Sequence, residues 1–190
     1  MQVNVRLVGM EFAQARLAEV NRKVDPVLRG ALNTTATKTR AERYVKPLRG
    51  TLKAARTRSA LRVKRANTRR MESRIIPSSS GVLLQNYQVW GYDAISPTRA
   101  RLWVRGPNGR KVAAGFVNPA SAQKLPWNTR SKRARSAGKN AWQHKQLAMG
   151  PSAAYWFKQL TDNQTIRWTN TFLQQEFERR IKREVAKGAR

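Results

Sequence analysis

The sequence contains no cysteine and only one histidine among its 190 residues. Without cysteine the chain has no disulfide framework, no thiolate zinc site and no cysteine nucleophile. The ten Asp and Glu residues are scattered, and none pairs with His144 at the spacing of metal ligands. His144 lies in a polar stretch, which favours a surface histidine over a general base. We therefore predict no enzymatic activity, no bound metal and no cofactor.

Long apolar runs and phosphate-binding glycine loops are also missing. No stretch approaches the roughly 18 apolar residues of a membrane-spanning helix, and residues 1–6 lack the pattern of a secretory signal. The turn Gly106–Gly109 has neither a Walker lysine nor the strand-to-helix context of a dinucleotide fingerprint. We expect a protein that neither crosses a membrane nor cradles a nucleotide in such a loop.

Large apolar residues are few for a chain of this length. Leu, Val, Ile and Phe together number 38, which is close to the lower limit for independent folding of a strongly charged chain. Six Trp and four Tyr favour a folded protein, because aromatic side chains bury large areas. The length predicts a single domain over residues 1–190 with a thin core that neighbouring subunits complete.

Positive charge is what the sequence has in excess. There are 39 Lys and Arg against 10 Asp and Glu, a formal net charge of +29. A chain so charged repels itself, so a polyanion or an acidic partner is expected to neutralise it. Nucleic acid is the leading possibility, and anionic lipid headgroups are the alternative.

Hydrophobic periodicity predicts helices in the first part of the chain. Alternation over residues 3–7 predicts a short strand, and threefold and fourfold spacing predicts a helix over 10–24. Asp25 followed by Pro26 is typical of a helix start, with the aspartate as the cap. The second helix carries a stripe of mostly small residues, which favours close packing against another element: Leu28, Ala31, Leu32, Thr35, Ala36 and Thr39.

The pattern changes from helical to strand-like after Arg70. Ile75 to Leu84 reads as strand, turn and strand, and Arg99–Phe116 reads as a hairpin around Gly106–Gly109. A short aromatic helical turn follows Pro151, and an amphipathic helix capped by Asp162 or Asn163 runs to Gly188. The fold class is α+β, with an N-terminal strand and helices, a small antiparallel sheet with a hairpin, and a long C-terminal amphipathic helix.

Residues 38–70 form the densest positive segment, which we predict to be a long basic helical segment. It holds 13 bases and a single acid, Glu42. Where the segment is helical, Arg40, Arg43 and Lys46 lie on one face, followed at the same spacing by Arg49, Lys53 and Arg56. We predict that the segment contacts nucleic-acid phosphates through Lys38, Arg40, Arg43, Lys46, Arg49, Lys53, Arg56, Arg58, Arg62, Lys64, Arg65, Arg69 and Arg70.

A second basic segment, residues 129–140, contains no large apolar residue and is predicted to be an exposed loop. Its candidate phosphate contacts are Arg130, Lys132, Arg133 and Arg135. No helix-turn-helix, zinc finger or single-strand aromatic motif accompanies the charge, so sequence-specific reading of bases is not expected. The six tryptophans are dispersed, which favours core and interface roles over base stacking.

The order of these features resembles the minor tail protein Z family of lambda-like tailed phages, whose members are very basic and of similar length. The opening Val3–Phe12 is similar to the strand, glycine and helix start of phage tail-completion proteins. Ala31–Ala36 before an Arg/Lys-dense helix, with Ala60–Ala66 further on, is similar to the first half of the family. Leu147–Gln159 before a terminal amphipathic helix looks like its C-terminal signature.

The resemblance implies a non-enzymatic structural protein of the virion, assembled in the host cytoplasm and located at the head-proximal neck of the tail. It implies a homo-oligomeric ring, commonly a hexamer, that completes the tail and meets the tail terminator, tail tube and head–tail connector proteins. The double-stranded DNA end would lie in its channel against Arg and Lys side chains. The alternative function is a free, sequence-nonspecific nucleic-acid-binding protein, architectural or ribosome-associated.

Overall fold

The computed structural model describes residues 9–19, 23–128 and 146–188. The helical elements are α1 (Met10–Glu19), α2 (Val24–Thr39), a π-helical turn (Arg40–Val45), α3 (Lys46–Leu48), α4 (Ala54–Ala60), a 3₁₀ turn (Leu84–Asn86), α5 (Ala153–Leu160) and α6 (Asn163–Gly188). The strands are β1 (Leu61–Lys64), β2 (Arg74–Pro77), β3 (Val82–Leu83), β4 (Trp90–Ser96), β5 (Arg99–Gly106), β6 (Gly109–Val117), β7 (Trp127–Asn128), β8 (Gln146–Leu147) and β9 (Met149–Gly150). The predicted α+β class is confirmed, whereas the predicted strand over residues 3–7 lies outside the described residues.

The chain divides into two compact units, where the sequence predicts one domain. The first unit contains residues 1–46, 61–76 and 157–190, and the second contains 47–60 and 77–156. Each unit is thus built from separate stretches of the chain, an arrangement that local sequence patterns do not reveal because it depends on long-range contacts.

The first unit is built on the packing of α1, α2 and α6. Its core consists of Ala13, Leu17, Val27, Ala31, Leu173 and Phe177. The predicted small-residue stripe of α2 lies at this contact, where Ala31 is fully buried and the Thr39 hydroxyl donates to Thr169 over 3.4 Å. Small side chains let two helix axes approach closely, so the stripe places α6 along α2.

A π-helical turn, Arg40–Val45, follows α2 directly. It places Tyr44 inward, where its ring stacks on Phe157 at 4.2 Å between centroids and its hydroxyl lies 3.1 Å from Thr161 Oγ1. Because a π turn holds more residues than an α turn, it rotates the face that later residues present. Regular threefold and fourfold spacing therefore does not keep one face across this turn.

The predicted helical segment over 38–70 is helical at 38–48 and 54–60, whereas the prediction is wrong for residues 49–53 and from Leu61 onward. Residues Leu61–Lys64 form β1, which pairs with β2 in a two-stranded sheet. β1 alternates buried Leu61, exposed Arg62, half-buried Val63 and exposed Lys64. This period of two is a strand pattern, and the four-residue stretch is short enough to be read as part of the preceding helix.

Helix starts are partly as predicted. α2 begins at Val24 with Lys23 as its N-cap and no side-chain cap, so the predicted Asp25 cap is wrong and Asp25 lies in the first turn. At α6 the cap is confirmed, because Asp162 Oδ1 accepts from the backbone N–H of Thr165 at 2.7 Å. Hydrogen bonds from Thr165 hold the pKa of Asp162 below its usual value.

The α6 helix carries a buried carboxylate. Glu176 accepts from Arg179 and Arg180, with closest distances of 2.7 Å, and is only 5% exposed. Glu176 and Arg180 are four residues apart on α6, and their ion pair lies inward rather than on an outer surface. Arg180 also donates to Thr34 Oγ1 at 2.9 Å, which ties α6 to α2.

The second unit is built on a seven-stranded sheet. Its main strand order is β3-β9-β6-β5-β4, and β7 pairs with β6 and β8. The predicted hairpin is confirmed as β5 and β6, which pair antiparallel up to Gly106 and Gly109. Ile75 and Leu83 lie in strands as predicted, but β2 and β3 belong to different sheets.

The inner face of this sheet packs on aromatic residues that come from far along the chain. Leu102, Val104 and Val117 are fully buried. Trp156 Nε1 donates to the Tyr87 hydroxyl at 3.2 Å, and that hydroxyl donates to the carbonyl of Pro151 at 2.5 Å. Burial raises the pKa of Tyr87 to about 12.

Candidate nucleic-acid interface

The structure describes thirteen of the seventeen predicted phosphate-contacting residues. Arg130, Lys132, Arg133 and Arg135, with the rest of the predicted loop 129–140, lie outside the described residues, as does His144. Three of the thirteen are half-buried: Arg40, Arg43 and Arg56. The exposed ones are Lys38, Lys46, Arg49, Lys53, Arg58, Arg62, Lys64, Arg65, Arg69 and Arg70.

The predicted basic face from Arg40 to Arg56 does not form as one face. The Arg43 Nε donates to Thr165 Oγ1 at 3.3 Å, and its guanidinium lies 6.0 Å from the ring centroid of Trp168. Lys46 pairs with Glu42 at 3.5 Å. Residues 47–60 belong to the second unit, and α3 ends at Leu48. The first part of the predicted face is thus partly occupied by contacts within its own unit.

The later part of the predicted segment, from Leu61 onward, instead brings several Lys and Arg residues together. We call residues 61–76 the basic arm: β1, the connection that follows, and β2 as far as Ile76. The arm has one acid, Glu72, and all six of its bases are exposed: Arg62, Lys64, Arg65, Arg69, Arg70 and Arg74. Arg74 pairs with Glu72 at 2.7 Å, which leaves the other five to define the positive surface of the arm.

The basic arm is braced against α2 by one side chain, Asn33. Its Oδ1 accepts from the backbone N–H of Ala66 at 2.7 Å and from the Ser73 hydroxyl at 2.6 Å. Its Nδ2 donates to the carbonyl of Ala66 at 3.1 Å. The two halves of the connection are therefore joined to each other and to the helix, because Ser73 Oγ also accepts from the Ala66 N–H.

The tip of the arm is closed by a second asparagine. Asn67 Oδ1 accepts from the backbone N–H groups of Arg69 and Arg70 at 3.0 and 2.8 Å. The Asn67 N–H donates in turn to the Arg70 carbonyl at 2.9 Å. Asparagine stabilises such turns by bonding to nearby backbone. The two arginines are thereby held on an ordered turn while their side chains stay exposed.

The spacing of the arm bases suits a phosphate backbone. Residues two apart on a strand are separated by roughly 6.6 Å, so Arg62 and Lys64 lie on one side of β1 at that interval. Phosphates recur along each strand of DNA at about 3.4 Å of helix axis and lie further apart in space, because the strand winds around that axis. Arg62 and Lys64 can therefore reach neighbouring phosphates of one strand. Arg and Lys supply the donors and the charge that such contacts need.

Apart from its charge, the basic arm does not gather metal-binding side chains or groups with shifted pKa values. In the described parts of the chain, no group of three or more His, Asp or Glu side chains could hold a metal ion. The raised pKa values belong to Tyr44 and Tyr87, where burial is the main cause and hydrogen bonding opposes it. Both tyrosines serve packing, since each is 2% exposed.

The five tryptophans that the structure describes form no exposed stacking platform. The five that the structure describes are buried or half-buried, and Trp142 lies outside the described residues. Trp168 stacks on Phe172 at 5.3 Å in α6. The predicted core and interface roles fit these placements better than base stacking does.

Sequence reasoning missed a second positive surface, which lies on the β5–β6 hairpin. Arg99, Arg101, Arg105 and Arg110 are all exposed there. The signal was present in the alternation Arg99-x-Arg101-x-Trp103-x-Arg105, because a period of two in a strand puts these side chains on one face.

Comparison of the chain with protein-family models, curated proteins and solved structures gives no match. Over the residues that the structure describes, no helix combines the length and apolarity needed to cross a membrane.

Proposed function

We propose that this chain is a non-enzymatic structural protein whose basic arm binds the phosphate backbone of nucleic acid without reading its sequence. The observation that carries the proposal is the arm itself, with six exposed bases, one acid and a brace to α2 through Asn33. An arm that is already ordered loses little conformational entropy when its bases meet phosphates. Its side chains present charge rather than a base-reading motif.

Salt dependence of binding tests this proposal. Each phosphate neutralised contributes about −0.9 to the slope of log K against log salt for duplex DNA. Replacing Arg62, Lys64, Arg69 and Arg70 with Gln is therefore expected to flatten the slope by about 3 to 4. Fluorescence anisotropy on a labelled duplex between about 50 and 200 mM NaCl measures it. Duplexes of scrambled sequence are expected to bind equally well.

A control variant with the same change of net charge distinguishes binding by the basic arm from general attraction to a positive molecule. Lys23, Arg167, Lys182 and Arg183 are exposed bases in the same unit, and changing all four to Gln removes the same charge. This control is expected to flatten the slope by less than half as much. Equal effects of the two variants would mean diffuse attraction to the whole molecule and would refute the arm as the binding element.

For the biological setting we propose the neck of a tailed-phage virion, as the sequence resemblance implies, with the chain in a ring around the DNA end. The thin core supports this, because contacts between subunits would bury surface that a monomer leaves exposed. Cryo-electron microscopy of the virus particle that contains the chain tests it. Ring density at the neck with the basic arm toward the channel is the expected result. Absence of the chain from purified particles would favour the free nucleic-acid-binding protein.

A further inference from the structure

The outer face of β4, β5 and β6 combines exposed arginine with exposed apolar side chains. We call it the arginine face: Ile95, Arg99, Arg101, Trp103, Arg105, Arg110, Val112 and Phe116. Ile95 and Val112 are 64% and 58% exposed, which is high for such side chains on a sheet. A depression of about 410 Å³ is lined by Ile95, Arg99, Arg101, Val112 and Phe116 among others. Apolar surface rimmed by charge marks an interaction site.

Like charges face each other across this surface. Arg105 of β5 lies directly opposite Arg110 of β6, an arrangement that destabilises an antiparallel pair. Arg110 is held by Trp103, whose ring centroid lies 4.1 Å from its guanidinium. Arg101 has Asp93 as its opposite neighbour on β4 and Phe116 on β6. Four arginines against this single aspartate leave the face strongly positive, so an anionic group is needed to balance it.

Base stacking on this face is blocked at Trp103. Arg110 lies over the ring, and the ring also packs against Gly91, where an added Cβ would be 2.5 Å from Trp103 Cζ2. The indole N–H donates to Asp93 at 3.2 Å. A nucleic-acid base needs a free ring face to stack. The same face of a second copy is equally unsuitable, because its four exposed arginines would meet the four arginines here.

We propose that the arginine face docks an acidic protein segment in which apolar side chains are interleaved with Asp or Glu. The carboxylates pair with Arg99, Arg101, Arg105 and Arg110, and the apolar side chains enter the depression beside Ile95 and Val112. This surface lies on β4–β6 in the second unit and is distinct from the basic arm in the first. The proposed partner of the arginine face is therefore a protein, and it is separate from the nucleic acid proposed for the basic arm.

The test uses two labelled peptides of equal charge and length with the full chain. One peptide alternates Glu with Phe, and the other alternates Glu with Ser. The Glu-Phe peptide is expected to bind roughly tenfold more tightly, because only it buries apolar side chains. The double substitution Ile95→Thr with Val112→Thr is expected to remove that difference, and Ile76→Thr, an exposed isoleucine of the other unit, is the matched control. Equal affinity for both peptides would overturn the proposal.

A second variant, which changes charge, shows whether weaker peptide binding results from loss of the site or from misfolding. Arg105→Glu turns the like-charge pair with Arg110 into an opposite pair, so we expect its melting temperature to rise. The same variant is expected to bind the Glu-Phe peptide several-fold more weakly, because it places an acid against the peptide. A variant that is more stable and binds as tightly as the parent would refute the site.

Single-stranded oligothymidylate is the competing probe. If it binds at the arginine face, the Ile95→Thr with Val112→Thr variant and Arg105→Glu weaken it as strongly as they weaken the peptide, and the proposed partner class is wrong. The expected result is that these variants leave the affinity of oligothymidylate within about twofold after correction for charge. Failure of the basic-arm variants to change duplex binding bears on the proposed function alone, because these variants leave every residue of the arginine face unchanged.

Discussion

The contacts of single side chains determine which Lys and Arg residues are exposed for binding and which are occupied by contacts within the fold. Asn33 has no charge, yet its three hydrogen bonds to Ala66 and Ser73 hold the basic arm against α2. Arg43 was predicted to meet phosphate, but it bonds to Thr165 and lies over Trp168. The value of a charged residue for binding thus depends on its neighbours in space, which a count of bases along the chain does not contain.

Tyr87 gives a pH prediction at this scale. Burial raises its pKa from the usual 10 to about 12, so between these values the unfolded chain loses the phenolic proton while the folded chain keeps it. The unfolded state then binds fewer protons, and stability falls as pH rises. The contribution is complete below pH 10 and disappears through about pH 12, with a size of about 2 to 3 kcal/mol from the two-unit difference.

The Tyr87→Phe variant measures this contribution. At neutral pH it is expected to be about 1 to 2 kcal/mol less stable, because the hydrogen bonds with Pro151 and Trp156 are lost. Above pH 10 its stability should fall less than that of the parent. Urea unfolding at pH 8 and pH 11 provides the comparison, and parallel losses in both proteins would contradict the assignment.

At the scale of elements, the most extensive helix contact in the first unit is that of α2 with α6. It depends on residue size, since Ala31 is fully buried between side chains such as Leu173 and Phe177. The buried Glu176 adds direction to this packing, because its partner Arg180 reaches Thr34 on α2. The pairing therefore combines close apolar contact with one specific polar link.

Ala31→Leu tests the size requirement. We expect the larger side chain to force the two helices apart and to lower the free energy of unfolding by about 1 to 3 kcal/mol. Thr37→Leu, on an exposed position of the same helix, is the control and should change stability by about 0.5 kcal/mol or less. Chemical denaturation of both variants decides the point, and a neutral Ala31→Leu would show that the contact is loose.

The whole molecule is governed by its net charge of +29. Five ion pairs join described residues, and three of them lie within α6. Ten acids cannot neutralise 39 bases, so repulsion opposes folding at low ionic strength. A bound polyanion is expected to stabilise the fold by neutralising part of this charge.

Melting temperature should therefore rise with salt. Raising NaCl shortens the screening length from about 10 Å at 0.1 M to about 3 Å at 1 M, so self-repulsion weakens. We expect a gain of several degrees, with about 2 to 4 °C for each kcal/mol at this chain length. NaCl and KCl should act equally in differential scanning fluorimetry, because screening depends on ionic strength. A melting temperature that falls or stays constant would show that repulsion is not an important cost.

The types of the long elements and the electrostatic character of the protein could be predicted from local sequence patterns. Helical periodicity located α1, α2 and α6, and the turn residues Gly106–Gly109 located the β5–β6 hairpin, because side-chain period and turn chemistry are local properties. The stripe of small residues on α2 likewise indicated a close helix contact before its partner was known. The phage-tail resemblance and the nucleic-acid partner stay predictions.

How these parts combine could be seen only in the folded molecule. It showed the π-helical turn that breaks the basic face, the strand β1 inside the predicted helix, and the separation of β2 and β3 into different sheets. It also brought Asn33 to Ala66 and the outer side chains of β4 to those of β6. These arrangements depend on hydrogen bonds and packing between residues far apart in the chain, and a local pattern carries no information about such distant partners.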